Sequence, residues 1–253
     1  MERIYILDSG IGGLALLRDL CFLEANASIF FVADAKYFPY GDKSPSLLGD
    51  IFDFHIAAAT LLGFRKVIVA CNTMSTVVMD RQYKLEVWHL FQGWGKHLKR
   101  YRKPLILATS RTIDSGIYHR LTVGRGIYIK ATTLIQAIQD GNIRNIERCL
   151  GKIKDIVIQE NVDAIILGCT HLSFIRDMFY EYMPPNVEIE DPLWHMARRI
   201  FSVTGAGQVI LEGIGSTDPL YNPMEAINEI PGSKVVKGCK RSKTGLIQGI
   251  WLF

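Results

Sequence analysis

Four short apolar runs, mostly β-branched, each end in small or polar residues and then give way to a helical period. They are 3–7 before Asp8-Ser9-Gly10, 66–70 before Cys71-Asn72-Thr73, 104–107 before Ala108-Thr109-Ser110, and 164–167 before Gly168-Cys169-Thr170-His171. Further strands are read at 28–33 and 126–130. Near-continuous hydrophobicity predicts strands buried on both faces, as in parallel sheets. Between them the spacing predicts helices over 14–23, 46–64, 75–83, 112–121, 132–140, 145–161, 172–182 and 193–203. In 46–64 the apolar stripe is Leu48, Ile51, Phe52, Ile56 and Ala59. Alternating strands and helices predict an α/β fold of mostly parallel sheets flanked by helices, joined by right-handed crossovers. Ligands of such sheets bind beyond the carboxyl ends of the strands, and the unusual motifs of this chain all fall there.

The chain also echoes itself. Val67-Ile68-Val69-Ala70-Cys71-Asn72-Thr73 is matched by Ile165-Ile166-Leu167-Gly168-Cys169-Thr170-His171. Likewise, Ile4-Tyr5-Ile6-Leu7-Asp8-Ser9 is matched by Leu105-Ile106-Leu107-Ala108-Thr109-Ser110. The echo predicts two related halves facing one another, with a crossing at 88–101 and a return near 203–208.

Composition narrows the class. Apolar residues make up 49% of the 253 positions, enough to offset ordering entropy and exclude intrinsic disorder. No apolar run approaches the roughly 18 residues of a membrane span. The opening Met-Glu-Arg-Ile-Tyr-Ile-Leu-Asp lacks a signal-peptide core and reads as a first strand, so a cytoplasmic protein is expected. The net charge of +4, from 29 basic and 25 acidic residues, is too weak to argue for a nucleic-acid partner. The densest basic stretch, 96–103, reads as a solvated helix face. Five cysteines form no C-x-x-C pair and no Cys/His cluster of zinc spacing, so neither a metal site nor a disulfide framework is expected.

Candidate chemistry centres on two of those cysteines. A helix N-terminus carries free N–H groups and partial positive charge, which favour thiolate over thiol. Cys71 and Cys169 take that position, while Cys21, Cys149 and Cys239 read as packing residues. Alone, each of the first two would be a buried strand-end residue. Two at matching places in echoing halves suit one task, in which one sulfur removes a proton from a carbon and the other returns one from the opposite face. Asp8, ending the first strand, and His171, two residues after Cys169, are the candidate proton-handling neighbours. Otherwise they read as a turn acceptor and a first-turn helix residue. The loop 8–13 fits neither G-x-x-x-x-G-K-[ST] nor G-x-G-x-x-G, but its glycines allow close approach of a small ligand. Pro39, Tyr40 and Gly41, after Phe38, form a turn whose N–H groups and tyrosyl hydroxyl are expected to close over the site. Ser9, Asn72, Thr73, Thr109, Thr112 and Thr170 offer neutral donors for carboxylates, or serve only as caps.

As a set, these motifs resemble those of the cofactor-independent aspartate/glutamate racemases, most of all the glutamate-specific branch. The resemblance rests on Asp8-Ser9-Gly10-Ile11-Gly12-Gly13-Leu14, Ala33-Asp34 with Pro39-Tyr40-Gly41, Ala70-Cys71-Asn72-Thr73, Ala108-Thr109 with Thr112-Ile113, and Leu167-Gly168-Cys169-Thr170-His171. It implies that Cys71 and Cys169 are the two bases, that Asp8 assists the first and His171 the second, and that the substrate is held by Ser9, Pro39, Tyr40, Gly41, Asn72, Thr73, Thr109, Thr112 and Thr170. It further implies no metal or pyridoxal phosphate, a homodimer, and supply of D-glutamate to peptidoglycan and so to cell shape. Two pseudo-symmetric domains, 1–91 with 207–253 and 92–206, would hold the active site in the cleft between them.

The chain departs from the family at 85–91, at Leu172-Ser173 after the second Cys-Thr-His, at Gln139 where a glutamate is common, and at the basic run 237–243. Two alternatives follow from the departures. One is an aspartate or other amino-acid isomerase on the same scaffold. The other is a noncatalytic protein whose basic C-terminal run contacts a nucleic acid or another protein.

Overall fold

A computed structural model describes residues 1–216 and 240–241. It contains two parallel sheets. The first has the strand order β10-β9-β2-β1-β3-β4 and the second β6-β5-β7-β8. In the first sheet the strands are β1 (Glu2–Asp8), β2 (Ala27–Ala33), β3 (Lys66–Val69), β4 (Glu86–His89), β9 (Val209–Ser216) and β10 (Lys240–Arg241). In the second they are β5 (Pro104–Ala108), β6 (Ile127–Lys130), β7 (Ala164–Gly168) and β8 (Glu188–Glu190). β2, β3, β5 and β7 are buried along their whole length, which accounts for their largely apolar sequences.

The register sets the site. Asp8 lies opposite Ala33 and Leu7 opposite Val69, so Asp8 and the Cys71 loop leave the same edge of the first sheet. In the second sheet Ala108 lies opposite Gly168, which brings Thr109 and Cys169 to a shared edge in the same way.

Most predicted helices form: α1 (Leu14–Phe22), α2 (Pro45–Leu61), α7 (Thr132–Gln139), α8 (Ile143–Gln159) and α10 (Pro192–Thr204). Their starts are chemically marked. Ser44, Asn142 and Asp191 each accept a backbone N–H at an N-cap, and Pro45 and Pro192 take the first helical position. The stripe Ile146, Leu150, Ile153 and Val157 buries one face of α8.

Three helices differ from the sequence reading. The helix expected at 75–83 is α3, Asn72–Val78, which begins directly at the cysteine loop. The one expected at 112–121 is broken into α5 (Ser110–Asp114) and α6 (Ile117–Leu121), because Gly116 adopts φ +69° between them. That expected at 172–182 opens as a 3-10 turn, Thr170–Ile175, before α9 (Arg176–Tyr182).

The chain crosses between sheets after β4 through α4 (Gly95–Leu98), and β9 carries it back beside β2. The divergent stretch 85–91 holds edge strand β4, where Lys66 Nζ lies over the Trp88 ring at 4.1 Å and Arg199 Cζ at 4.0 Å from its centroid. One apolar core runs from Ile4, Ile6 and Phe31 in the first sheet to Leu105, Ile165 and Leu167 in the second. No helix among the described residues is long and apolar enough to cross a membrane. The basic run 237–243 lies outside the described residues, apart from the backbone of β10, as does Cys239.

Candidate active site

The carboxyl ends of both sheets meet around a cavity of about 40 Å³, room for roughly three water molecules. Cys71 and Cys169 both line it, as do Ser9, Asn72, Thr73, Thr109, Thr170 and His171. Pro39, Tyr40 and Gly41 form another wall. Two lining residues, Phe38 and Ile135, were not among the candidates. Phe38 belongs to the recognised turn and tilts against His171, ring centroids 5.9 Å apart. Ile135 is an apolar position of α7 that no local motif marks. Asp8 and Thr112 stand behind the wall, both fully buried.

Cys71 is the N-cap of α3, and its Sγ lies 3.9 Å from Ser9 Oγ. Burial pushes its thiol up to about 12, reinforced by the nearby Asp8 charge and only partly opposed by the N–H groups of Met74 and Thr73 and the Ser9 hydroxyl. Burial also raises Cys169, against the pull of the His171 N–H. The expected thiolates are therefore thiols in this closed state: two short helical N-termini do not outweigh desolvation.

Each thiol has a titratable neighbour. Burial raises Asp8 to about 6, while the N–H groups of Gly10, Gly13 and Ser9 and the Thr170 hydroxyl hold it back. Gly10 N–H donates to its Oδ2 at 3.2 Å. His171 Nδ1 lies 3.9 Å from Cys169 Sγ, and on the other side His171 Nε2 lies 2.8 Å from Gln139 Oε1. A carbonyl oxygen only accepts, so Nε2 carries the proton and Nδ1 turns its lone pair to the thiol. Burial lowers His171 to about 4, keeping the ring neutral.

Glycines seat the two halves against each other. A Cβ on Gly12 would lie 2.1 Å from Thr170 Oγ1 and 3.0 Å from His171 Nδ1. Polar side chains also cross the gap. Tyr118 hydroxyl donates to Asn72 Oδ1 at 2.8 Å, and Thr73 Oγ1 lies 3.0 Å from Thr109 Oγ1 and 3.1 Å from Thr112 Oγ1. The Asn72 side-chain amide nitrogen is buried without a protein acceptor. The Tyr40 hydroxyl, expected to close over the site, donates to buried Asp34 at 2.5 Å, while Tyr40 itself lines the cavity.

Comparison with known proteins agrees with this architecture. No family model matches the chain. The glutamate racemase of Carboxydothermus hydrogenoformans is 26% identical over 208 residues, 78% of each chain. That of Pseudomonas entomophila is 27% identical over 224 residues, 83% of this chain and 84% of the relative. The crystal structure of Francisella tularensis glutamate racemase in complex with D-glutamate superposes with a TM-score of 0.75 at 20% identity, over 95% of both chains. Picrophilus torridus aspartate racemase gives a TM-score of 0.59 at 18% identity, over 81% of this chain and 94% of the other. In sequence this chain is similar to curated glutamate racemases, and in fold to solved structures of glutamate and aspartate racemases.

Proposed function

We propose that the protein is a cofactor-independent amino-acid racemase that interconverts L- and D-glutamate by proton transfer at the α-carbon. The observation that carries this reading is two buried thiols lining one cavity, Cys71 within the field of the Asp8 carboxyl and Cys169 beside the His171 ring. In the cycle, one cysteine gives its proton to its partner and, as thiolate, takes the α-proton. The thiol on the opposite face donates its proton to the carbanion and becomes the thiolate. Asp8 serves Cys71 and His171 serves Cys169, restoring the starting charges as protons exchange with solvent. Ser9, Thr73, Thr109, Thr170 and the Asn72 amide supply neutral donors for the substrate carboxylates. Exclusion of water strengthens those contacts.

The strand membership of the two sheets supports a division into units 1–91 with 207–253 and 92–206, with the substrate held between them. The family likeness further supports a cytoplasmic homodimer that supplies D-glutamate to peptidoglycan. Light scattering of the purified protein tests the dimer.

The decisive experiment incubates the protein with L-glutamate in deuterated water without added cofactor. D-glutamate carrying α-deuterium is expected, and L-aspartate run in parallel should turn over more slowly. Cys71→Ser and Cys169→Ser should each lower racemisation by about 10²–10⁴-fold. Both variants racemising at the unsubstituted rate would overturn the two-thiol route.

A further inference from the structure

The outer edge of the second sheet carries a cluster that the proposed reaction does not use. β8 ends at Glu190, whose side chain is buried. His97 on α4 brings Nε2 to 2.7 Å from Glu190 Oε1, and His195 in the first turn of α10 brings Nε2 to 2.5 Å from Oε2. The two rings meet edge to face with centroids 4.9 Å apart. One ligand-capable atom from each of the three residues falls within 4.8 Å of the others. The Tyr101 hydroxyl and Arg100 also hold the carboxylate, Arg100 Nη2 at 2.9 Å from Oε1, so its orientation is fixed by outer partners as in protein metal sites. The imidazoles are 32% and 30% exposed and share the walls of two open cavities of about 780 and 600 Å³. There is room for water on an ion held there.

We propose that His97, Glu190 and His195 bind a divalent transition ion of the zinc class through two imidazole nitrogens and one carboxylate oxygen. Two nitrogen donors with one oxygen suit Zn²⁺ and Co²⁺ and exclude a site built for Mg²⁺ or Ca²⁺, which take oxygen ligands. On binding, each Nε2 gives up the hydrogen it shares with the carboxylate, and the ion takes that place. With metal–ligand distances near 2.0–2.2 Å, neighbouring ligand atoms of a tetrahedral site lie roughly 3.4 Å apart, so His97 Nε2 and Glu190 Oε1 separate by under about 1 Å. Arg100 yields Oε1 and keeps its other partner, Glu188. The three ligands come from elements distant in sequence, which is why Cys/His spacing did not disclose them. None lines the two-cysteine cavity, so this site stands or falls apart from the racemase reading.

The test is a Co²⁺ titration of the full chain carrying Cys71→Ser and Cys169→Ser, followed by visible absorption. One Co²⁺ per chain is expected, with ligand-field bands of a nitrogen/oxygen site. Adding His97→Gln and His195→Gln should weaken binding at least about tenfold, with circular dichroism reporting a retained fold. Should that variant not fold, His97→Gln alone, on a short helix and one-third exposed, should give the same loss. Binding that survives the histidine substitutions, a cobalt–thiolate charge-transfer band, or no binding below about millimolar Co²⁺ would each overturn the assignment.

Discussion

Cys169, His171 and Gln139 form a line in which the amide oxygen decides which ring nitrogen faces the sulfur. Gln139→Leu removes the acceptor for Nε2–H and frees the ring to change tautomer. It should lower kcat about tenfold with KM little changed, measured by chiral chromatography of initial rates. Gln139→Glu places an anion beside Nε2 and should raise the His171 pKa from about 4, visible by NMR titration of the ring. Asp8 must be ionised to accept the Cys71 proton, so kcat/KM should rise with pH through about 6 and level above it. A flat profile between pH 5 and 7 would remove Asp8 from that role. At this scale the sequence marked most of the residues that line the candidate cavity, because the two cysteines and His171 follow strand ends whose chemistry is local. The thiol state was hidden, since desolvation depends on what distant segments lay over the sulfur. The turn of Tyr40 toward Asp34 was hidden for the same reason.

Elements were readable in proportion to their burial. β1, β2, β3, β5 and β7 announce themselves as apolar runs, whereas β4 (Glu86–His89) and β8 (Glu188–Glu190) are short edge strands carrying glutamates. Paired with only one neighbour within the sheet, they show no continuous hydrophobic signal. The loop between β1 and α1 has a tighter constraint than its glycine content alone conveyed. At Gly12 the chain presses on the 3-10 turn that bears Thr170 and His171. Gly12→Ala should therefore cost about 1–3 kcal/mol in urea unfolding and displace His171, reducing turnover as well. Equal stability and activity would show that the turn yields without loss.

At the level of the molecule, a buried ion cluster ties the halves together. Arg176 Nη1 reaches Asp19 on α1 and Asp191 before α10, each at 3.0 Å, and Asp191 also accepts from Ser173 at 2.9 Å. Arg176→Met would leave buried Asp191 without its cation and Asp19 with Arg18 alone. A loss of about 3–5 kcal/mol is expected in chemical denaturation. The pH dependence of stability has two opposed contributors at the site. Asp8, raised to about 6, stabilises the fold at low pH and loses that contribution as pH rises through 6. His171, lowered to about 4, contributes above its unfolded value near 6.5 and loses it as pH falls through 4. Each amounts to about 3 kcal/mol and they offset one another across the window between. Asp8→Asn should thus leave stability climbing with pH from 4 to 6.5, and His171→Asn should leave it falling from 4 to 6, both read from urea midpoints.

The threonine and tyrosine hydroxyls that join the halves around the cavity also set the terms of admission. A guest as large as an amino acid cannot enter until those side chains let go of one another, and it must then give them new acceptors. Uptake is in this way an exchange of partners, so arrival should be paced by the opening of the protein itself, and tightness should grow with the number of oxygens the visitor brings.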